Sequence, residues 1–169
     1  MRRGATILSL ILLTSTSRAT VLEELTLDDL ARRADSVVVG VIGSKSTIRH
    51  GDELLTETEV LVERTLLGPT RASFLVTQLG GESDGFVTEI VGDARLRTGR
   101  RMVLFTYVHP DGRRYLVGMA LGAFELSGAA ATQLIEASIQ RSDGSLLPPR
   151  TQHTTLEEIL RVLARSSQK

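Results

Sequence analysis

Residues 101–120 read RMVLFTYVHPDGRRYLVGMA, and this stretch decides the fold class. Residues 101–108, a run rich in β-branched and aromatic residues, and residues 114–120, a largely apolar run, flank the tetrapeptide HPDG at residues 109–112. Proline at the second position and glycine at the fourth are typical of a type I turn followed by a bulge. The stretch therefore predicts a β-hairpin and, with it, antiparallel β-structure.

Further strands are predicted where β-branched residues cluster or alternate between turn residues. In residues 54–65 (LLTETEVLVERT) the alternation places Val60 and Val62 inward and the glutamates mostly outward. The other predicted strands are residues 36–42, 72–79, 86–91 and 122–126. Residues 130–140 are also predicted as a strand because apolar residues alternate over the second half. A helix is the alternative there, because the segment starts with alanines.

Turns separate these strands at places rich in glycine, proline and aspartate. They are predicted at residues 49–52, 68–69, 80–85 and 143–144, and residues 148–149 (PP) begin an irregular connector. Two short helices lie at the ends of this region. Residues 26–34 combine an apolar face with a capping box formed by Thr26 and the aspartate three residues later. The second helix is predicted at about residues 155–165 and is capped by Thr154 or Thr155.

Six or more short strands between two small helices, without a βαβ rhythm, predict a mainly β (α+β) fold. We expect a small antiparallel OB-like β-barrel or sandwich with short N-terminal and C-terminal helices. No internal repeat or linker is visible, so residues 20–169 are predicted to form a single β-rich domain.

The first nineteen residues have the pattern of an export signal. Arg2 and Arg3 precede a short apolar stretch, and Ser17 and Ala19 supply small residues before a cleavage site after Ala19. No run approaches the ~20 apolar residues of a membrane span. We therefore expect an exported protein, periplasmic or secreted. The absence of cysteine favours a bacterial source, because secreted eukaryotic domains of this size commonly use disulfides.

The amino-acid composition reduces the number of functional classes to which the protein could belong. The chain has 169 residues, with 20 basic and 20 acidic side chains. Three of the basic residues lie in the predicted signal, so the mature chain carries 17 basic and 20 acidic groups, a net charge of −3. A nucleic-acid binder needs an excess of Lys and Arg to neutralise phosphates, so this balance argues against nucleic acid as a partner.

Residues 27–40 (LDDLARRADSVVVG), together with the Glu/Val-rich strand that ends in Leu66-Leu67-Gly68, resemble the start of netrin-like OB barrels. This is the fold of the tissue inhibitors of metalloproteinases, and the resemblance covers about residues 27–81. The chain is also similar to exported bacterial proteins in which such a barrel precedes a Gly-Gly loop and a strand like MVLFTYV. The resemblance implies the fold. The inhibitors act through an amino-terminal cysteine, which this chain lacks, so their mechanism is not carried over to any residue here.

Four arginines form the strongest candidate for a ligand-binding surface. Arg95, Arg97, Arg100 and Arg101 lie within seven residues without an acidic residue among them. Guanidinium groups bind carboxylates and phosphates, so this cluster suits a protein or an anionic surface polymer as partner. The alternative is a solvated turn. Arg113 and Arg114 are expected at the opposite end of the predicted hairpin strand, too far away to enlarge the cluster.

Residues 81–85 (GESDG) match G-x-S-x-G, the pattern of a nucleophile elbow, which makes Ser83 a candidate nucleophile. Asp93 or Asp111 and His153 follow in the chain order of a catalytic triad. However, the residues after Ser83 are typical of a strand, whereas an elbow leads into a helix. A glycine-rich hairpin loop is therefore the favoured interpretation.

The sequence contains only weak patterns for the binding of a metal ion or a cofactor. His50, His109 and His153 are dispersed and are expected to be exposed turn residues. The acidic residues Glu82, Asp84, Glu89 and Asp93 crowd one region, and weak calcium binding is the alternative to a solvated loop there. The spacing of a calcium-binding loop is missing, so no cofactor is implied.

The aromatic residues are expected to serve the core, because Phe105 and Tyr107 would share one face of their strand. The leading hypothesis is an exported, non-enzymatic binding domain whose ligand is a protein or a cell-surface polymer. The alternatives are an extracellular serine hydrolase that uses Ser83 and, from the fold resemblance alone, a peptidase inhibitor.

Overall fold

The computed structural model describes residues 21–83 and 85–166, and this part of the chain is mainly β with two α-helices. The predicted signal peptide lies outside the described residues. The helices are α1 (Leu27–Arg33) and α2 (Leu156–Ser166). The strands are β1 (Val21–Glu23), β2 (Ser36–His50), β3 (Glu53–Leu67), β4 (Ser73–Leu79), β5 (Gly81–Ser83), β6 (Phe86–Thr88), β7 (Arg101–Val108), β8 (Arg114–Leu116), β9 (Ala123–Ser127), β10 (Ala130–Ile135), β11 (Ser138–Gln140), β12 (Leu146–Leu147) and β13 (Arg150–Thr155).

One large antiparallel sheet organises the molecule. Its strand order is β13-β10-β9-β7-β2-β3-β4, and β8 pairs with the end of β7. Two smaller sheets accompany it, β1-β11-β12 and the two-stranded β5-β6. All pairings are antiparallel except that of β1 with β11.

The centre of the large sheet is buried on both faces, which explains its run of valines. On β2, Val37 and Val39 pack into a first core with α1 and α2, whereas Val38 points into a second core. β7 alternates in the same way, with Phe105 in the first core and Leu104 in the second. Side chains of successive strand residues point to opposite faces, so one strand serves both cores. The prediction of a strand at 36–42 is confirmed, and its residues are largely buried.

The β2–β3 hairpin is longer than predicted. Both strands have 15 residues and turn at Gly51, which has a φ of 60°. The second half of β2 is polar and largely exposed. The clustering of apolar residues therefore predicted only the first half of β2. Leu55 is buried although the alternation of β3 assigns it to the face of the outward residues.

The described strands form no closed barrel, which corrects the barrel prediction. β8 runs beside β4, but the two strands have no ladder of backbone hydrogen bonds. The Arg114 guanidinium lies 5.1 Å from the centre of the Phe74 ring at this seam. The strand predicted at 114–120 stops at Leu116 because Gly118 and Met119 adopt positive φ values of 63° and 58° and lead into a 3₁₀ turn.

The local signals at both helices agree with the structure. Thr26 Oγ1 accepts a hydrogen bond from Asp29 N at 3.1 Å, and Asp29 Oδ2 accepts one from Thr26 N at 2.9 Å. At α2, Thr155 Oγ1 accepts from Glu158 N at 3.1 Å. Residues 130–140 are extended as predicted but divide into β10 and β11. The connector predicted after residue 149 contains β13, whose polar residues carry no apolar pattern.

Candidate binding clefts

A first surface cleft has a volume of about 660 Å³. It lies between the outer half of the β2–β3 hairpin, the β5–β6 hairpin and the connection from Glu89 to Arg97. Its charged lining residues are Lys45, Arg95, Arg97, Glu82, Glu89, Asp93 and Glu136. Its volume lies in the range of about 300–1,000 Å³ that is usual for ligand sites, and its lining is more strongly charged than the mostly apolar lining of such sites.

A bulge in β2 lies at one wall of the first cleft. The β2–β3 register shifts between Ile42 and Lys45, and the connection before β7 closes on this point. Thr98 Oγ1 donates to Gly43 O at 2.9 Å, and Gly99 N donates to Ile42 O at 2.7 Å. These bonds hold the connection before β7 next to the bulge. Lys45, which follows the bulge, and Arg97, which lies in the connection, both line the first cleft.

The opposite wall of the first cleft is the β5–β6 hairpin, which is held to the β2–β3 hairpin by few contacts. Glu82 N donates to Thr47 Oγ1 at 3.3 Å, and Thr56 Oγ1 donates to Gly80 O at 3.0 Å. Gly81 makes the approach possible, because a Cβ there would lie 2.7–2.9 Å from atoms of Thr47 and Thr56.

A desolvated carboxylate lies in the first cleft. Burial raises the pKa of Asp93, and hydrogen bonds from Gln78 and from the Ala94 N–H, together with the charge of Lys45, only partly oppose this. Ala94 N donates to Asp93 Oδ1 at 2.7 Å. Burial likewise lowers the pKa of Lys45, with Asp93 opposing the shift. Asp93 is half-buried, whereas Lys45 remains exposed, so the loss of water is greater at the carboxylate.

The four arginines do not form one uncompensated patch. Arg95 Nε lies 2.5 Å from Glu136, Arg101 Nε lies 2.6 Å from Glu63, and an Arg100 Nη lies 3.5 Å from Glu125. All three acids come from other strands or connections, so the local sequence did not reveal them. Arg97 is exposed and forms no ion pair with a described carboxylate.

The second cleft has a volume of about 340 Å³ and shares Arg95 and Arg97 with the first. It lies on the face of β9, β10 and β13 that the helices leave open. Its lining includes the buried apolar residues Met102, Ala120 and Ala123 and the acidic residue Glu125. Arg95 and Arg97 therefore stand between the two clefts.

Arg113 and Arg114 lie away from these arginines, as predicted. Arg114 pairs with Val108 at the opposite end of β7 from Arg101. An Arg114 Nη donates to Thr106 Oγ1 at 3.1 Å, and burial lowers the Arg114 pKa. Arg113 serves the β7–β8 turn, where its backbone N donates to Asp111 Oδ1 at 2.8 Å.

Ser83 lies in a hairpin, as the favoured interpretation expects, but in the strand β5 and not in a loop, which corrects the turn predicted over residues 80–85. It belongs to β5 and pairs with Phe86 of β6, so a strand follows it and not a helix. Asp111 lies at the β7–β8 turn, where its Oδ1 is 3.2 Å from His109 Nδ1. His153 Nδ1 lies 3.3 Å from Thr132 Oγ1 on the β10–β13 pair. The catalytic role of Ser83 remains a prediction, which none of these contacts supports.

The histidines and acidic residues were candidates for metal binding. His109 follows β7 as a turn residue, whereas His50 and His153 lie within β2 and β13, which corrects their placement in turns. Glu82, Glu89 and Asp93 line the first cleft, and Asp84 lies outside the described residues. Among the side chains that the structure describes, no group of three or more His, Asp or Glu residues is arranged to hold a metal ion.

The aromatic residues divide between core and surface. Phe105 and Phe124 are buried, with ring centres 5.9 Å apart, as the core assignment requires. Phe86 is 77% exposed at the end of the β5–β6 hairpin, which contradicts that assignment. Lys45 was not among the sequence candidates. The only signal for it was its rarity, because Lys45 and Lys169 are the only lysines of the chain.

No helix in residues 21–83 or 85–166 is long and apolar enough to cross a membrane. Comparison of the chain with protein-family models found no match. A comparison with curated proteins likewise found no match.

Proposed function

We propose that this protein is an exported, non-enzymatic binding domain and that its ligand site is the first cleft. The ligand would present an anionic group, carried by a protein or by a cell-surface polymer. The observation that carries the proposal is the meeting of Lys45, Arg95 and Arg97 around one cleft, where neither Lys45 nor Arg97 pairs with a described carboxylate. Lys45 and Arg97 can therefore bind an anion without first breaking a close ion pair, whereas Arg95 is paired with Glu136. The bound anion would have to fit beside the carboxylates that line the same cleft, Glu82, Glu89, Asp93 and Glu136.

Desolvation adds to this argument. Burial disfavours the charged form of Lys45, which is why its pKa is lowered. An anion bound nearby would favour the charged form again, so anion binding and the protonation of Lys45 support each other. Arg100 and Arg101 do not line the first cleft, so we place the site at Lys45, Arg97 and Arg95, the last of which is paired with Glu136.

The fold proposal is an open OB-like barrel. It is supported by the order of five strands: β2, β3 and β4 follow one another, β7 returns to the free side of β2, and β8 runs from β7 towards β4. The first cleft uses the outer end of the β2–β3 hairpin, which extends beyond this arrangement.

Calorimetric titration with poly-L-glutamate and with dextran sulfate tests the ligand site, because these probes represent an acidic protein and an anionic polysaccharide. We expect binding that weakens at least about tenfold, about 1.4 kcal/mol, in Lys45→Ala and in Arg97→Ala. Arg165→Ala is the matched control, since Arg165 is an exposed arginine on α2. Equal losses in all three variants would indicate attraction by net charge alone and would refute a site in this cleft.

Two further measurements test export and the absence of catalysis. Mass spectrometry of protein recovered from cell fractions of the source organism is expected to find a chain that begins at Thr20 in the exported fraction. An intact amino terminus confined to the cytoplasm would overturn the export proposal. A fluorophosphonate probe is expected to leave the protein unlabelled, whereas labelling lost in Ser83→Ala would establish the hydrolase alternative.

A further inference from the structure

The lining of the first cleft contains more negative than positive charge. Among the described residues, four carboxylates and three cations belong to this lining, which gives a net charge of −1 when all are ionised. A ligand that is anionic alone would be attracted by the cations and repelled by the larger number of carboxylates. A ligand that also carries a cation would avoid this repulsion.

Two of the four carboxylates are offset within the chain. Glu136 lies 2.5 Å from Arg95 Nε, and the charge of Asp93 opposes the fall of the Lys45 pKa that burial causes. Glu82 and Glu89, in contrast, form no ion pair with a described basic residue. These two glutamates can therefore receive a cation from a ligand.

Glu82 and Glu89 lie on the wall that the β5–β6 hairpin forms. Glu82 pairs with Val87 across the hairpin, and Glu89 follows Val87 by two residues, so the three side chains share one side of the hairpin and line the cleft. The Glu82 N–H donates to Thr47 Oγ1 at 3.3 Å, and Thr47 follows Lys45 by two residues on β2. The anionic wall therefore adjoins the strand that carries Lys45.

Exposed apolar side chains belong to the same lining. Val87 is 62% exposed, Val91 is 56% exposed and Leu79 is 47% exposed. The hydrocarbon stem of a lysine covers apolar surface while its ammonium group reaches a polar partner. A side chain of this kind would contact the apolar residues and a glutamate at the same time, which a sulfate or carboxylate group on a polysaccharide would not do.

We propose that the ligand of the first cleft is a peptide segment in which a carboxylate neighbours a lysine-like ammonium side chain. The carboxylate would contact Lys45 and Arg97. The stem of the ammonium side chain would pack on Val87, and its charged end would pair with Glu82 and Glu89. This inference rests on the proposed function and selects a peptide over an anionic polysaccharide as the ligand of the same site.

Calorimetric titration with three alternating octapeptides, Glu-Lys, Glu-Gln and Gln-Lys, tests this ligand class. The Glu-Gln peptide offers carboxylates without ammonium groups, and the Gln-Lys peptide offers ammonium groups without carboxylates. At about 0.15 M salt, the wild type is expected to bind the Glu-Lys peptide about tenfold more tightly than the Glu-Gln peptide. Each exposed ion pair contributes up to about fivefold, so pairing with two glutamates accounts for this difference.

The double variant Glu82→Gln/Glu89→Gln separates attraction from repulsion. It should bind the Glu-Lys peptide more weakly than the wild type does, because the ammonium groups lose their partners. It should bind the Glu-Gln peptide more tightly, because two repelling charges are removed. Asp52→Asn/Glu53→Gln removes the same net charge at the β2–β3 turn, outside the lining of the cleft, and should keep the wild-type preference. Melting curves check that both variants fold.

The possible outcomes distinguish this inference from the proposed anion site. Equal binding of the Glu-Lys and Glu-Gln peptides by the wild type would overturn the inference, and the anion site would stand if Lys45→Ala weakened both. Equal shifts in the two double variants would show that net charge produces the preference and would also overturn the inference. A wild type that binds none of the peptides, or that prefers the Gln-Lys peptide, would refute the anion site and the inference together.

Discussion

The two short hairpins of this protein, β7–β8 and β5–β6, differ in how their side chains are used. At the β7–β8 turn, Asp111 accepts hydrogen bonds from Arg113 N at 2.8 Å and from Tyr115 Oη at 3.0 Å. The adjacent strand buries Leu116 in the second core. The β5–β6 hairpin is held by a few polar contacts and exposes Phe86 and Val87. The first hairpin stabilises the fold, whereas the second presents a surface.

The largest change in the free energy of unfolding is expected from truncation of a core residue in the β7–β8 hairpin. Leu116→Ala should lower the free energy of unfolding by about 2–5 kcal/mol, because Leu116 is only 6% exposed and its removal leaves a cavity. Val87→Ala, the matched change on β6, should change it by less than about 0.5 kcal/mol. Urea denaturation measures both. Similar losses for the two variants would show that the β5–β6 hairpin is part of the cooperative core.

A smaller effect on stability is expected from a substitution at the contact between the β5–β6 hairpin and the β2–β3 hairpin. Gly81→Ala places a Cβ within 2.9 Å of Thr47 and Thr56 at a φ of +146°, so it should detach the β5–β6 hairpin. Gly85→Ala shares the strain of a positive φ, about 1–2 kcal/mol, but its Cβ meets nothing within 4 Å. Faster proteolytic cleavage between β5 and β6 in Gly81→Ala than in Gly85→Ala would confirm the attachment. Equal cleavage rates would argue against it.

Tyr115→Phe should have a still smaller effect, because it removes only the hydrogen bond that Tyr115 Oη donates to Asp111. We expect a loss of about 1 kcal/mol in the free energy of unfolding. Tyr107→Phe is the control, since the Tyr107 hydroxyl has no side-chain hydrogen bond among the described residues. Its ring lies 6.1 Å from that of Tyr115. If both variants lost the same stability, the contribution would come from the rings.

Local signals in the sequence were sufficient to predict much of the fold. The capping box at Thr26, the turn at residues 109–112 and the valines of β2 each act over a few residues, and each agrees with the structure. β13 was missed because its exposed, threonine-rich residues lack an apolar pattern, and its pairing with β10 depends on the rest of the sheet. The strand predicted at residues 114–120 ends at Leu116, where Gly118 and Met119 adopt positive φ values, and a positive φ at a methionine is not visible in sequence patterns.

The candidate site was predictable only in part. Arg95 and Arg97 were found from their spacing, and they line both clefts. Their neighbours Arg100 and Arg101 pair with Glu125 and Glu63, which lie 25 and 38 residues away in sequence, so no local pattern could show their compensation. Lys45 reaches the first cleft through a bulge in β2, and a bulge depends on the pairing of two strands.

Two aspartates, Asp111 at the β7–β8 turn and Asp93 beside the β5–β6 hairpin, allow a test in which the expected changes in stability have opposite signs. The Arg113 N–H, with Tyr115 and His109, lowers the pKa of Asp111, whereas burial raises the pKa of Asp93 beside the β5–β6 hairpin. A lowered carboxyl pKa contributes stability above the unfolded value of about 4, and this contribution is lost as pH falls through the folded pKa. Asp111→Asn should therefore destabilise the protein at pH 7, and the deficit should shrink as the pH falls below about 4.

For Asp93 the sign is reversed. Its folded carboxyl binds the proton more tightly than the unfolded one, so ionisation of Asp93 opposes folding above the folded pKa. Asp93→Asn should stabilise the protein at pH 7, and the gain should disappear as the pH falls through the folded pKa towards about 4. Denaturation of both variants and of the wild type across this range measures the two differences. A loss of stability at pH 7 in Asp93→Asn would mean that Lys45 and the Ala94 N–H stabilise the charged carboxylate by more than burial penalises it.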